Sequence, residues 1–142
     1  MFRVAAIQYC AGDNAKDTLA HIQPLIAEAA SLATLVTLPE CASYLAASRE
    51  ELATHAEWED DSYSQNWLGD QARQLKIWIL AGSLMIRRRD DHKLVNRSLL
   101  LALMAGSSQA MTKSICLTLM LAMTKAIASR PALPQVQRRP LP

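Results

Sequence analysis

The sequence predicts an α/β fold, and three features carry that prediction. Apolar runs recur at 2–9, 34–38, 77–87 and 94–102, the first two containing β-branched residues. Between the first two, apolar residues return at helical spacing, and a second helical stretch precedes the third. Clusters of Gly, Asn, Pro or charged residues separate the runs. The order is β-α-β-α-β-β.

Each element has a local cause. Residues 2–9 form a buried, Ala-rich strand that ends at Ala11, Gly12, Asp13 and Asn14, where Gly and Asn supply turn conformations. Across 15–32, Leu19, Ile22, Leu25, Ile26, Ala29 and Ala30 make one apolar stripe facing a sheet, with Pro24 as an interior irregularity that costs a backbone hydrogen bond. The run 34–38 is stopped by Pro39, so Glu40 lies just past the C-terminal end of a strand, where open α/β sheets place their chemistry. Residues 64–75 are helical. The strand 77–87 carries Gly82 as an expected bulge, 88–93 is a polar turn, and 94–102 is the last strand. Such a sheet with two helices leaves one face or one edge open unless further chain or a partner covers it.

A chain of 142 residues, 51% hydrophobic and 20% charged, suffices for one domain with a core and is not disordered in composition. The chemistry changes after Ala102. All 13 acidic residues, every Trp, Tyr and His and the one Phe lie in 1–102, whereas 103–142 has none of them. The tail's five basic residues give it +5, against ten basic and 13 acidic upstream, so the net +2 averages two unlike pieces. That charge is too small, and the aromatics too far from the basic residues, to indicate nucleic acid. Cys10, Cys41 and Cys116 have no zinc-ligand spacing and are odd in number, so reduced cytoplasmic thiols are expected. The first residues fit a strand better than a signal peptide.

The stretch VTLPECASY at 36–44, following RVAAIQY at 3–9 and an amphipathic helix, resembles the first catalytic segment of the nitrilase superfamily of carbon-nitrogen hydrolases. The AGS strand and LVNRSLLLA at 94–102 strengthen the resemblance, which covers the first 102 residues and points to small amidases of the ω-amidase and deaminated-glutathione amidase type. It implies that residues 1–102 are the N-terminal part of a four-layer αββα sandwich. It also implies hydrolysis of a small carboxylic amide through a cysteine thioester with no cofactor, and homo-oligomers among intact relatives. One departure is the stretch Ser31, Leu32, Ala33, Thr34, which lacks the Gly usual before the second strand.

Relatives continue into a PDG turn and a strand with a YDKIHLFD-like lysine motif; this chain does not. The genetic code accounts for the difference. If one nucleotide is lost near the Ala102 codon, the older frame joins the third base of each present codon to the first two of the next. Met104 and Ala105 then force Gly, Met111 and Thr112 force Asp, and Met123 and Thr124 force Asp again. With only degenerate bases free, 102–109 permits PDGRIVA and 110–130 permits YDKIHLFDVDVGDDKSYRES, without a slip in register. Residues 103–142 are therefore read as a frameshift product rather than a native domain.

Thiol-based amide hydrolysis needs a base, an oxyanion-holding cation and a nucleophile. The resemblance assigns these to Glu, Lys and Cys. Glu40 matches the base, expected to be partly buried. The Lys would be encoded across Thr112 and Lys113 in the lost frame, and Lys113 does not replace it. The nucleophile lies further downstream than this chain reaches. Cys41 adjoins Glu40, but neighbours on an extended chain point to opposite faces, so no nucleophilic role is expected. Cys10 is expected to be a small buried filler.

Tyr44 is a candidate substrate-binding residue, with a packed loop tyrosine as the plainer reading. Asn96 and Arg97 are expected to brace the strand beside the site. His21, His55 and His92 share no metal-binding spacing. The acidic run from Glu57 to Asp61 reads as a solvated face, and Arg87 to Asp91 as a charged hairpin tip. The competing class is a non-catalytic interaction module, whose apolar segment 115–128 docks on a partner or a membrane surface.

Overall fold

The computed structural model describes residues 1–102 of the chain; the readings of Lys113, Cys116 and the apolar segment 115–128 lie outside the described residues. Eight elements follow in order: β1 (Val4–Ala6), α1 (Ala15–Leu32), β2 (Leu35–Thr37), α2 (Arg49–His55), β3 (Glu57–Trp58), α3 (Tyr63–Leu75), β4 (Trp78–Arg87) and β5 (Leu94–Leu101). They form one α/β unit around a single five-stranded sheet.

The sheet is built around β4. β1 pairs with β2, and β2 with β4, both parallel. β5 pairs antiparallel with β4 along almost its whole length, from Ile79 opposite Leu101 to Arg87 opposite Leu94. A strand has only two edges, so β2 and β3 share the other one: β2 takes Trp78 to Leu80, and β3 takes Ile86 and Arg87. Residues 38–44 run along the gap between them. That placement positions the site.

Helices α1 and α3 touch each other and pack on the same face of the sheet. Leu19, Ile22 and Ile26 of α1 and Leu68 and Ala72 of α3 meet Val36, Ile79, Ala81, Leu84, Ile86 and Leu99 in one core. Asn14 caps α1, its side-chain oxygen accepting from the Lys16 and Asp17 backbone N–H groups. The helix continues through Pro24, which lacks a donor for the preceding turn. Phe2, Val4 and Trp78 remain 67%, 57% and 42% exposed, on a sheet that helices among the described residues cover on one side only.

The first strand is shorter and more exposed than the sequence suggests. β2, its only partner among the described residues, is three residues long and is followed by Pro39, so pairing beyond Thr37 has little to hold to. Ile7 still donates to Thr37 O at 3.0 Å. Elements α2 and β3 are additions to the predicted order. The start of α2 was written in the sequence as Ser48, Arg49, Glu50, Glu51: Ser48 Oγ accepts from Glu51 N–H at 3.1 Å, and the Glu51 carboxylate accepts from Ala47 N–H at 2.9 Å.

The acidic run is a solvated face only at Asp60 and Asp61; Glu57 and Glu59 are half-buried and hold neighbouring elements. Glu57 accepts from Ser62 Oγ at 2.5 Å, Ser64 Oγ at 2.7 Å and Ser64 N–H at 2.9 Å, with both serines buried. It thereby fixes the start of α3. Glu57→Ala leaves buried serine groups without their acceptor and should destabilise the fold by about 1–3 kcal/mol. Urea denaturation checks this, and an unchanged midpoint would contradict it. Glu59 accepts from Arg89 N–H at 2.7 Å and from Arg97 Nη2 at 3.2 Å.

Backbone contact with Arg89 first, and the Arg97 side chain after it, hold the Glu59 carboxyl below its ordinary 4.5. The Ala47 N–H does the same first for Glu51, and Arg88 first for Asp91. Depressed carboxylates stabilise the fold fully above their ordinary range, and that contribution disappears as the pH falls through their folded values. Thermal melts should therefore show stability falling on acidification below about pH 4.5, with Glu59→Gln making the fall shallower. A stability flat from neutrality to pH 3 would contradict the expectation. The hairpin tip appears where expected, with Arg88 on Asp91 at 2.6 Å and His92 in a left-handed conformation.

Candidate active site

Pro39 ends the pairing of β2, and Leu38 is the last residue to use the β4 edge regularly, donating to Leu80 O at 2.9 Å. The chain then turns. Cys41 takes a left-handed φ of 53°, and its N–H meets Ser83 Oγ at 3.0 Å. Ala42 N–H returns to Ser83 O at 2.9 Å, and Tyr9 OH donates to Ala42 O at 2.6 Å. Glu40 is therefore held at the tip of a turn whose two arms are bonded to one strand.

The turn can lie this close because position 82 has no side chain. A Cβ there would stand 2.4 Å from Leu38 O and 2.6 Å from Pro39 O. The expected bulge is present, as a register shift between Ala81 and Leu84 opposite β5. Ser98 Oγ of β5 donates to Gly82 O at 2.5 Å and closes it. Two residues earlier on the same side of β5, Asn96 Nδ2 donates to Glu40 Oε1 at 2.9 Å.

Glu40 is exposed among the described residues, not partly buried as expected, because the sheet face it stands on is open here. Alternation along an extended chain does not apply to Cys41, since the backbone turns at this residue. Burial first, and the Glu40 carboxylate second, push its thiol above the ordinary 9.0, which disfavours a thiolate. Cys10 is exposed and not a buried filler, because it follows an edge strand out of the core.

Tyr44 is a packed loop tyrosine that also borders a cleft. It is buried, its ring stacks on His55 at 5.2 Å, and its hydroxyl lies 3.4 Å from His55 Nδ1. It also lines a cleft of about 340 Å³ together with Lys16, Ser43, His55, Tyr63 and Met85. Met85 stands directly opposite Asn96 across β4 and β5, so the cleft adjoins the Glu40 turn without including Glu40 itself. Arg97 braces the strand through Glu59, while Asn96 contacts the candidate base directly. The role of α2 in supplying His55 to this cleft went unforeseen because the helix itself did.

Among the described residues no three His, Cys, Asp or Glu side chains are grouped to hold a metal ion, and no helix is long and apolar enough to cross a membrane. The family model for carbon-nitrogen hydrolases matches residues 3–113.

The chain belongs to the carbon-nitrogen hydrolase family.

Among carbon-nitrogen hydrolases it is similar to the deaminated glutathione amidase of Yersinia enterocolitica, with 36% identity over 98 residues that make up 69% of this chain and 34% of the relative. The fold is similar to that of Saccharomyces cerevisiae Nit3, a member of branch 10 of the nitrilase superfamily, at a TM-score of 0.62 and 24% identity. That match covers 70% of this chain and 39% of the yeast protein. A CN-hydrolase superfamily protein of Xanthomonas campestris aligns at a TM-score of 0.59 and 25% identity, over 70% and 36% of the two chains. The chain thus spans between a third and two fifths of the length of the carbon-nitrogen hydrolases it matches. The described residues form an α/β part of the nitrilase-like architecture.

Proposed function

We propose that residues 1–102 are the base-bearing part of an amidase acting on a small, non-peptide carboxylic amide, and that the 142-residue chain is itself without hydrolase activity. The observation that carries this reading is the anchoring of Glu40. A carboxylate on an exposed turn beyond a parallel strand has no structural task of its own, yet both arms of its turn are bonded to β4 and its side chain is bonded to Asn96. The family membership and the relative's name agree with amide chemistry.

In this reading Glu40 takes the proton from a cysteine thiol, and the thiolate attacks the amide carbon. A lysine stabilises the developing oxyanion. The C–N bond then breaks, nitrogen leaves as ammonia after accepting the proton, and water hydrolyses the thioester to a carboxylic acid. Only the first of these three groups stands in the described residues. In this reading the other two belong to a frame lost after Ala102, although the family match itself runs on to residue 113 of 142.

The test is ammonia release from small carboxylic amides by the purified 142-residue chain, which should equal the rate without protein. Release above that rate would overturn the inactivity. The exposed Phe2, Val4 and Trp78 favour, as the second reading, a module that binds another chain; a monodisperse complex with a full-length relative would support it.

A further inference from the structure

We propose that Asn96 is a positioning residue for Glu40, deciding which carboxylate oxygen stays free to accept a proton. The proposal rests on the reading of Glu40 as the general base. The backbone of the turn is already fixed, by Leu38 on Leu80 O, Cys41 on Ser83 Oγ and Ala42 on Ser83 O. That leaves the side chain, which is exposed and rotates about three bonds, so it gains entropy by wandering. Asn96 Nδ2 at 2.9 Å from Oε1 opposes this.

The chemistry of the pair gives it direction. An ionised carboxylate can only accept, so the amide must present its NH2 group, and its own oxygen faces away. The hydrogen-bonded Oε1 has part of its electron density engaged, whereas Oε2 is left as the proton acceptor. Asparagine is suited to this because it donates at every pH and carries no charge. A lysine or arginine here would form an ion pair able to engage both oxygens, and an aspartate would repel the base.

The strand that supplies Asn96 is itself locked to the turn. Ser98, two residues on and on the same side of β5, holds Gly82 O at 2.5 Å, and Gly82 is the position over which Leu38 and Pro39 pass. One side of β5 therefore fixes both the seat of the turn and the orientation of its carboxylate.

Side-chain NMR on the 142-residue chain tests the proposal without any need for activity. In the unsubstituted chain, the couplings that report the Glu40 side-chain torsions should show one dominant rotamer. Asn96→Leu and Asn96→Asp, which remove the donor at similar size, should lose it and give averaged couplings, while Asn96→Gln should retain a dominant rotamer. Backbone amide shifts of β4 and β5 should stay in place, because Asn96 is exposed. As a check that tolerates misfolding of those variants, Glu40→Ala should move the Asn96 side-chain amide resonances. Averaged couplings in the unsubstituted chain, couplings indifferent to Asn96→Leu, or Asn96 amide resonances unmoved by Glu40→Ala would each overturn the proposal. None of these results depends on whether the chain hydrolyses an amide.

Discussion

Gly82→Ala should be among the most damaging single substitutions in the described residues, although it adds one carbon. The new Cβ would lie 2.4 Å from Leu38 O, 2.6 Å from Pro39 O and 2.7 Å from Pro39 C, all backbone atoms that cannot rotate aside. Either the turn lifts from β4 or the bulge opens. Lifting loses the bonds of Cys41 and Ala42 to Ser83, and opening loses the bond from Ser98 to Gly82 O. Overpacking of a fitted site costs about 1–3 kcal/mol, and loss of buried backbone partners adds roughly 1 kcal/mol for each bond. A destabilisation of about 3 kcal/mol or more is expected in urea denaturation, with the Glu40 amide resonance displaced. Gly69, which has open space around the same position, is the control: Gly69→Ala should be neutral or slightly stabilising, since alanine is the better helix former. Equal effects at the two glycines would contradict the close-approach argument.

The second large effect concerns Glu40. If inserting one nucleotide at the Ala102 codon yields the proposed amidase, Glu40→Gln in that product should lower kcat for amide hydrolysis by about 10³-fold or more, because members of a catalytic set act together. Glutamine keeps the shape but cannot take the thiol proton. KM should change little, since the Tyr44 cleft, where the rest of a substrate would lie, does not include Glu40. Cys41→Ser in the same protein should leave kcat within about a few-fold, as its thiol is held above its ordinary pKa beside the carboxylate. If Cys41→Ser removed activity as completely as Glu40→Gln, the assignment of roles within the turn would be wrong.

The long elements were legible because their signals are local and repeated. α1 runs over Ala15–Leu32 as its apolar spacing requires, and the bulge at Gly82 falls where a glycine interrupts an apolar strand. β3 was not legible, since two residues without apolar alternation become a strand only by pairing with Ile86 and Arg87. Glu57 misled for the same reason: an acidic run reads as solvent-facing until Ser62 and Ser64 are brought against it by the start of α3. Burial was the least legible property. Cys10 and Phe2 sit in apolar sequence, but β1 is an edge strand and one sheet face is open, so apolar composition did not lead to enclosure. At the site, the position of Glu40 after β2 followed from Pro39, whereas its contact with Asn96 depends on a pairing 56 residues away in sequence.

The most direct measurement compares ammonia release from a small carboxylic amide by two chains: the 142-residue protein and the product of the same gene with one nucleotide inserted at the Ala102 codon. The account predicts no release above the protein-free rate from the first, and hydrolysis dependent on Glu40 from the second. Turnover by the 142-residue chain would contradict it, as would a folded but inactive product of the restored frame.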